Sequence, residues 1–420
     1  MTRIARTDGP HARRDARPGG VGLALAGGGP LGGIYEVGAL LALDDSIAGL
    51  DLTALDVYVG VSSGGFVAAA LANGLSPAQM FELFIAEGPG AAKKPHLFRR
   101  PALREFARRA AALPRLAARA TGQAVRDPFR RGIAASLATL ARAMPTGVFD
   151  QGALDAFLAA LFAAPGRTND FRTLRRRLLL VATDLDTGAS VAFGAPGHDH
   201  VPISRAIEAS SALPGLYPPV EIDGRHYVDG ALNKTLHASL ALDAGVSLLF
   251  CVNPLVPFDA SGAAAGGRLG AATLHHGGLP LVLAQTFRAF IHSRMRAGMD
   301  KYAQQYPDAS VVLLEPARAD ADMFLASIFS YAERERLCAR AYDTTRASLR
   351  ARSGELAPLL ARHGLALREG RVADGARRVA DALNDPRPLR PAPRRRGVRH
   401  AARELAHTLD HLERHLAALR

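Results

Sequence analysis

Asp56-Val57-Tyr58-Val59-Gly60-Val61-Ser62-Ser63-Gly64-Gly65-Phe66-Val67-Ala68-Ala69-Ala70-Leu71-Ala72 is the stretch on which the fold turns. Asp56 to Val59 reads as a short strand. GVSSGG breaks it, and FVAAALA has the composition of a buried helix. Gly60-Val61-Ser62-Ser63-Gly64 fits G-x-S-x-G, in which a serine sits on a sharp strand-to-helix turn. Small neighbours are required because a Cβ would clash where the backbone doubles back. The position also places Ser62 at a helix N-terminus, where unpaired N–H groups favour an alkoxide or an oxyanion.

Upstream, Val21 to Ala26 (VGLALA) is an apolar run ending in Gly27-Gly28-Gly29. It reads as a buried strand feeding a tight loop, with a helix expected from Gly33 through Ile34, Val37 and Leu41. Gly27, Gly29 and Gly32 also have the spacing of a dinucleotide fingerprint. That use calls for an acidic residue ending the next strand, and here the next strand ends in the serine turn instead. The better use of consecutive glycine N–H groups after a buried strand is to converge on the oxygen of a tetrahedral intermediate.

Downstream, Asn73-Gly74 stops the helix and Ser76-Pro77-Ala78-Gln79 has the form of a capping box. Leu154, Phe157, Leu158, Leu161 and Phe162 share one helical face before Pro165-Gly166. Further strands are expected at Leu178 to Ala182, Val191 to Gly194, Val220 to Val228 as a hairpin around Asp223-Gly224, Ser247 to Val252 and Ser310 to Leu314. Several are continuously apolar, as in strands covered on both faces. The pattern predicts an α/β fold with a mainly parallel sheet and helices on both sides. Val228-Asp229-Gly230-Ala231 ends one strand with a carboxylate beside a glycine, either a plain turn or an acid brought to the serine.

The glycine loop, GVSSGG, the block SSALPGLYPPVEIDGRHYVDGAL and the strand SLLFCVNP, in this order, resemble the patatin-like phospholipase family over roughly Val21 to Leu314. The resemblance implies a three-layer patatin-like fold and a Ser-Asp dyad without histidine. Ser62 would be the nucleophile, Asp229 the base, and the Gly27, Gly28 and Gly29 amides the oxyanion hole. The substrate would be a lipid ester cleaved through an acyl-enzyme, as by a phospholipase A or a lysophospholipase, with no cofactor and no metal. Leu31 departs from the family, whose members usually carry Arg or Lys there. That departure motivates the alternative of a catalytically silent lipid-binding or scaffold protein. The dyad is chemically coherent, because a serine hydroxyl needs a base and burial raises an aspartate from its usual weak basicity. A triad through His226, His237, His275, His276 or His292 is the competing mechanism. Thr183-Asp184-Leu185-Asp186-Thr187 lacks the further ligands a metal would need.

Charge is uneven in this 420-residue chain of net charge +13. Residues 91–145 hold 13 Lys/Arg against Glu105 and Asp127, a surplus of +11, and residues 386–420 a surplus of +6. The first is expected to be a basic helical insertion or cap that meets an anionic membrane or lipid surface, with Leu103, Phe106, Ala107, Ala110 and Leu113 on one face and Arg104 and Arg108 on the other. The missing aromatics and readout motif argue against nucleic acid. Residues 1–20 read as a disordered basic arm, 21–350 as the hydrolase domain and 351–385 as a helical extension. Residues 386–420 read as a basic linker and an amphipathic C-terminal helix. Its apolar residues Val398, Ala402, Leu405, Leu409, Leu412, Leu416 and Leu419 form a seam for a homodimer or for docking on the protein's own surface. Two cysteines, Cys251 and Cys338, fit a reducing compartment. No run of about 18 apolar residues occurs, so a cytoplasmic protein, peripheral at the inner membrane surface, is expected.

Overall fold

The computed structural model describes residues 19–86, 100–126, 131–260, 274, 276–320 and 333–385. The expected N-terminal arm up to residue 18 and the apolar seam of residues 398–419 lie outside the described residues. So do residues 87–99 and 127–130 of the basic stretch. The chain divides into two units, the first ending at Val379.

Eight strands form the main sheet of the first unit. They are β1 (Gly20–Leu25), β2 (Val57–Val61), β3 (Arg177–Asp184), β4 (Ser190–Phe193), β5 (Val220–Ile222), β6 (Arg225–Asp229), β7 (Val246–Val252) and β8 (Ser310–Leu314). The path runs β8-β7-β1-β2-β3-β6-β5, with β4 also paired to β3. β8, β7, β1, β2 and β3 are parallel, while β4, β5 and β6 are antiparallel additions. The mainly parallel α/β sheet is therefore as expected, and the hairpin β5-β6 turns on Asp223 and Gly224, both at positive φ, the type I′ geometry that suits a twisted ribbon.

The helices of this unit include α1 (Gly29–Ser46), α2 (Ser63–Ala72), α3 (Leu103–Arg126), α4 (Arg131–Ala141), α5 (Gly152–Phe162), α6 (Ile203–Ser210), α7 (Ser239–Asp243), α8 (Gly278–Gln305) and α9 (Arg334–Ala351). One sheet face packs Ala24, Val57, Val59, Val61, Leu179, Val181 and Cys251 against Ala241 and Leu242 of α7 and Met295 of α8. The other face meets α2, where Gly65 approaches the Leu180 side chain. Two-sided cover explains why β2 is buried at every residue and reads as an uninterrupted apolar run.

Two of the boundaries that differ from expectation bear on the site. α1 begins at Gly29 rather than Gly33, because Pro30 carries no N–H and its fixed φ is ready-made for a first helical turn. β2 runs on to Val61, so the strand delivers its last residue directly to Ser62. The capping box forms as read, with Ser76 Oγ accepting from the Gln79 N–H at 3.2 Å and Gln79 Oε1 accepting from the Ser76 N–H at 2.9 Å. Its helix is short, Pro77–Met80, and continues as a π-turn, Phe81–Ile85.

The apolar face expected on α3 is turned outward, and a different set of residues packs inward. Leu103, Phe106 and Leu113 are 71%, 40% and 45% exposed, whereas Ala102, Leu116, Ala120 and Glu105 are buried. The inward face is chosen by Glu105, whose carboxylate accepts from Arg109 Nε at 2.8 Å and from the Thr146 N–H and hydroxyl at 3.2 and 3.0 Å, and also binds Arg108. Burial pushes this carboxyl up, yet these donors prevail and hold it at about 2.

At its far end α1 is clasped by the C-terminal part of the unit. Asp45, 5% exposed, accepts from Arg377 Nε and Nη2 (both 2.7 Å), Arg371 Nη1 (2.9 Å) and the Tyr342 hydroxyl (2.8 Å). Ile47–Ala48 pairs antiparallel with Ala366–Leu367 just beyond it. Burial raises the Asp45 carboxyl, but the hydrogen bonds of Arg377, Tyr342 and Arg371 outweigh it and hold the group below its ordinary value. A depressed acid contributes stability above the unfolded value, about 4, and loses it as pH falls. Asp45→Ala, which strands buried guanidinium groups, is expected to cost about 3–5 kcal/mol in urea denaturation at pH 7. The deficit against wild type should shrink as the pH falls below about 4. An unchanged midpoint at pH 7 would show the clasp to be incidental.

Candidate active site

Ser62 caps α2 with φ 53° and ψ −124°, a conformation that L-residues avoid and that costs about 1–3 kcal/mol. The cause is the approach of α2 to the sheet. A Cβ at Gly64 would lie 2.4 Å from the Ala26 carbonyl oxygen, and one at Gly60 would lie 2.5 Å from Gly65 Cα, so both glycines of the motif are sterically obligatory. The turn is braced from below. The Ser62 N–H donates to Ser210 Oγ at 2.8 Å, and that buried hydroxyl donates to the Val181 carbonyl at 2.6 Å.

Register brings Asp229 to the serine. Val61 pairs with Val181 on β3, and the next residue, Ala182, pairs with Asp229. β4 pairs with both Val181 and Ala182, so it occupies the other edge of β3. β6 therefore takes over the edge that β2 leaves, and Asp229 arrives where the chain turns away at Ser62. The Ser62 hydroxyl acts on the Asp229 carboxyl as a donor that lowers its pKa. The other fixed donor to that carboxyl is the Ala231 N–H, at 2.8 Å to Oδ1. Asp229 is 4% exposed, and burial pushes its carboxyl up to about 6 against the opposing hydrogen bonds from Ala231 and Ser62.

Gly27 lies directly beside the serine, since a Cβ there would be 3.0 Å from Ser62 Cβ and 3.7 Å from its Oγ. Gly28 is the N-cap of α1, so the N–H groups of Gly28 and Gly29 belong to a first turn that has no intrahelical acceptor. Gly27, Gly28, Gly29, Ser62 and Asp229 line one cavity of about 360 Å³, within the range of small-ligand sites. Its walls are largely apolar, with Phe66, Phe84, Leu154, Phe157 and Ile207 among them. Leu31 is 4% exposed and is not part of the lining, so it packs in the core of α1.

None of the described histidines lines this cavity. His226 stands exposed on β6 opposite Glu221. His237 directs Nε2 at the Gly230 carbonyl, 3.4 Å away. His292 lies 3.6 Å from Glu315, and His275 falls outside the described residues. The Asp184 carboxylate accepts from the Asp186 and Thr187 N–H groups and from Arg225, which makes it a turn cap. Two contributors escape a reading of the sequence. Ser210 sits within the SSALPG block with nothing to mark it as the brace, and Arg288 of α8, which lines the cavity, has no local signal at all.

The family model for patatin-like phospholipases matches residues 23–242, just over half of the chain. Among solved structures, the chain is similar to VipD from Legionella pneumophila, at 16% identity over 77% of this chain and 67% of that one, with a TM-score of 0.35. It is similar also to the type III effector protein ExoU, at 16% identity over 80% of this chain and 54% of that one, TM-score 0.35. The SpcU–ExoU complex from the type III secretion system of Pseudomonas aeruginosa gives 22% identity over 47% and 40%, TM-score 0.25. The chain thus spans about half the length of ExoU.

An acid whose value is raised on folding is tolerated below its unfolded value and destabilises as pH rises through its folded one. Asp229→Asn, which removes the ionisation, is expected to raise stability at pH 7.5 by up to about 3 kcal/mol. The gain should vanish near pH 4. A loss of stability at pH 7.5 would mean that the carboxylate is held by donors stronger than Ala231 and Ser62.

Proposed function

The chain belongs to the patatin-like phospholipase family, and from that premise we propose that it is a lipid acyl hydrolase working through Ser62 and Asp229. The observation that carries the reading is that a strained, buried serine and a buried carboxylate line one largely apolar cavity, with the carboxyl pushed up to about 6 by burial. Ser62 Oγ attacks the ester carbonyl carbon and its proton passes to the Asp229 carboxylate. The oxyanion is received by the amides of the Gly27 to Gly29 loop. The C–O bond then breaks and the leaving alcohol takes the proton from Asp229. Water repeats the sequence on the acyl-enzyme, releasing the carboxylic acid and restoring Ser62. The apolar cavity suits the acyl chain, and its low polarity strengthens the preorganised donors.

A lipid substrate also needs a way to the site. Among the described residues no helix is long and apolar enough to cross a membrane, so contact falls to the surface. α3 supports this role within residues 91–145, because Leu103, Phe106 and Leu113 are exposed with Arg104, Arg115 and Arg119 also at the surface. Arg108 and Arg109 instead serve Glu105. The alternative of a silent lipid-binding protein keeps the cavity and loses only turnover.

Ser62→Ala is expected to abolish fluorophosphonate labelling and to lower hydrolysis of a soluble nitrophenyl ester by about 10⁶. Asp229→Asn should lower it by about 10³–10⁴. In wild type, kcat/KM should rise with pH through an apparent pKa near 6, since Asp229 must be ionised to accept the proton. Turnover that survives Ser62→Ala, or a wild type that neither labels nor turns over, would reject the hydrolase. Independently, Arg104→Glu, Arg115→Glu and Arg119→Glu together should weaken binding to vesicles rich in anionic lipid by at least tenfold, each charge being worth roughly 1 kcal/mol. Binding that ignores both lipid charge and these substitutions would reject α3 as the docking element.

A further inference from the structure

Polarity in the cavity is concentrated at few places. Among its described lining residues the charged side chains are Asp229 and Arg288, and Asp229 is engaged with Ser62 and Ala231. The Gly27-to-Gly32 loop carries no cation of its own. Exposure grades from one part of the lining to another. Val67, Ile85, Leu158 and Ile207 are at most 1% exposed, whereas α8 contributes Ala284, exposed, and Phe287 and Arg288, both half-buried. An acyl chain gains most by filling the sealed apolar part, which leaves the arginine for whatever polar group the same molecule carries nearer the solvent.

We propose that Arg288 holds the phosphate of a glycerophospholipid substrate and thereby selects phospholipids over neutral acylglycerols. This deepens the hydrolase reading and rests on it. A guanidinium offers five N–H donors in a planar fork, and the fork matches two phosphate oxygens at once. Burial lowers the Arg288 pKa, yet a group that starts above 12 stays charged at neutral pH. The reduced hydration that causes the shift also strengthens the attraction of an anion placed against it. The same stretch of α8 exposes Leu279, Val282, Leu283 and Phe290. Apolar surroundings of this kind suit a phosphate that arrives on a lipid better than one that arrives free in water.

The test separates binding from turnover by using Ser62→Ala protein, in which no ester is cleaved. By calorimetry below the micellar limit, this protein should bind dodecyl phosphate about ten- to a hundredfold tighter than the neutral monododecanoylglycerol, the range of a charge-assisted hydrogen bond. Adding Arg288→Gln should erase the preference while binding of the neutral amphiphile persists, which also reports that the variant is folded. Arg288→Lys should restore part of it, as a point charge without the fork. Inorganic phosphate should bind far more weakly than dodecyl phosphate. A preference that survives Arg288→Gln overturns the proposal, and inorganic phosphate binding as tightly as dodecyl phosphate overturns its lipid part. With Ser62 intact, the ratio of kcat/KM for monomeric dihexanoylphosphatidylglycerol over dihexanoylglycerol should fall at least tenfold on Arg288→Gln. Absence of turnover on both esters would reject the hydrolase and leave the binding comparison to decide the role of Arg288.

Discussion

The contact on which the site depends is the crossing of α2 over the sheet at Gly64, where the helix backbone presses on the Ala26 carbonyl with no room for a side chain. A helix held this close cannot be reached from β2 by a relaxed connection, so the strain collects on the residue between them. Ser62 takes it as a positive φ. The same crossing ties the serine to the segment Ala26-Gly27, so Ser62 and the glycine loop are set by one contact. A Cβ at Gly64 would force this crossing apart and move both together, which is why the motif tolerates no substitute there.

Strain alone would place a hydroxyl without activating it. In the proposed mechanism, activation comes along the same edge of β3, because the antiparallel strand β6 takes over the edge that β2 vacates. The carboxylate that ends β6 is thereby buried beside the serine with few donors to stabilise its charge. A more exposed or better-solvated aspartate would sit near its ordinary value and be a weak base. Strained turn and underprovided acid each work against folding. They are tolerated because they are supported by well-satisfied features elsewhere, the apolar sheet faces and the arginine clasp on Asp45. Ser210 shows how local that support is, since one buried hydroxyl links the Ser62 amide to the β3 backbone.

Much of this is legible in the sequence wherever one residue type answers one local demand. Uninterrupted apolar runs mark the parallel strands, Asp223-Gly224 marks the hairpin, and the flanking glycines mark the serine turn. That Asp229 could reach Ser62 is readable only through the family resemblance, because it depends on which strand continues the edge of β3. The start of α1 lies four residues before the expected one, since glycines argue against a helix until Pro30 is seen as its opening turn. The apolar face of α3 is legible in its periodicity, but the inward face is not, because the ion cluster around Glu105 that holds it is completed by Thr146, far along the chain. Arg288 is invisible because it approaches from a helix more than 200 residues beyond the serine in the chain.

The Glu105 cluster also changes what the basic composition means. A surplus of +11 over residues 91–145 suggests a uniformly cationic surface, yet the structure divides that charge by task. Arg109 bridges Glu105 to the Arg142 carbonyl, at 2.8 Å on each side, so it fastens α3 to the chain beyond α4. Arg108 shares the same carboxylate. Once an arginine is committed to a buried acid, reversing its charge unfolds a contact rather than probing a surface. Only residues such as Arg104, Arg115 and Arg119, exposed on the same helix, report on an external anion. Having its inward face set by Glu105 is also what keeps Leu103, Phe106 and Leu113 outward. The buried ion cluster therefore sets which apolar and cationic face α3 turns to solvent, and a helix packed by hydrophobicity alone would have hidden that face.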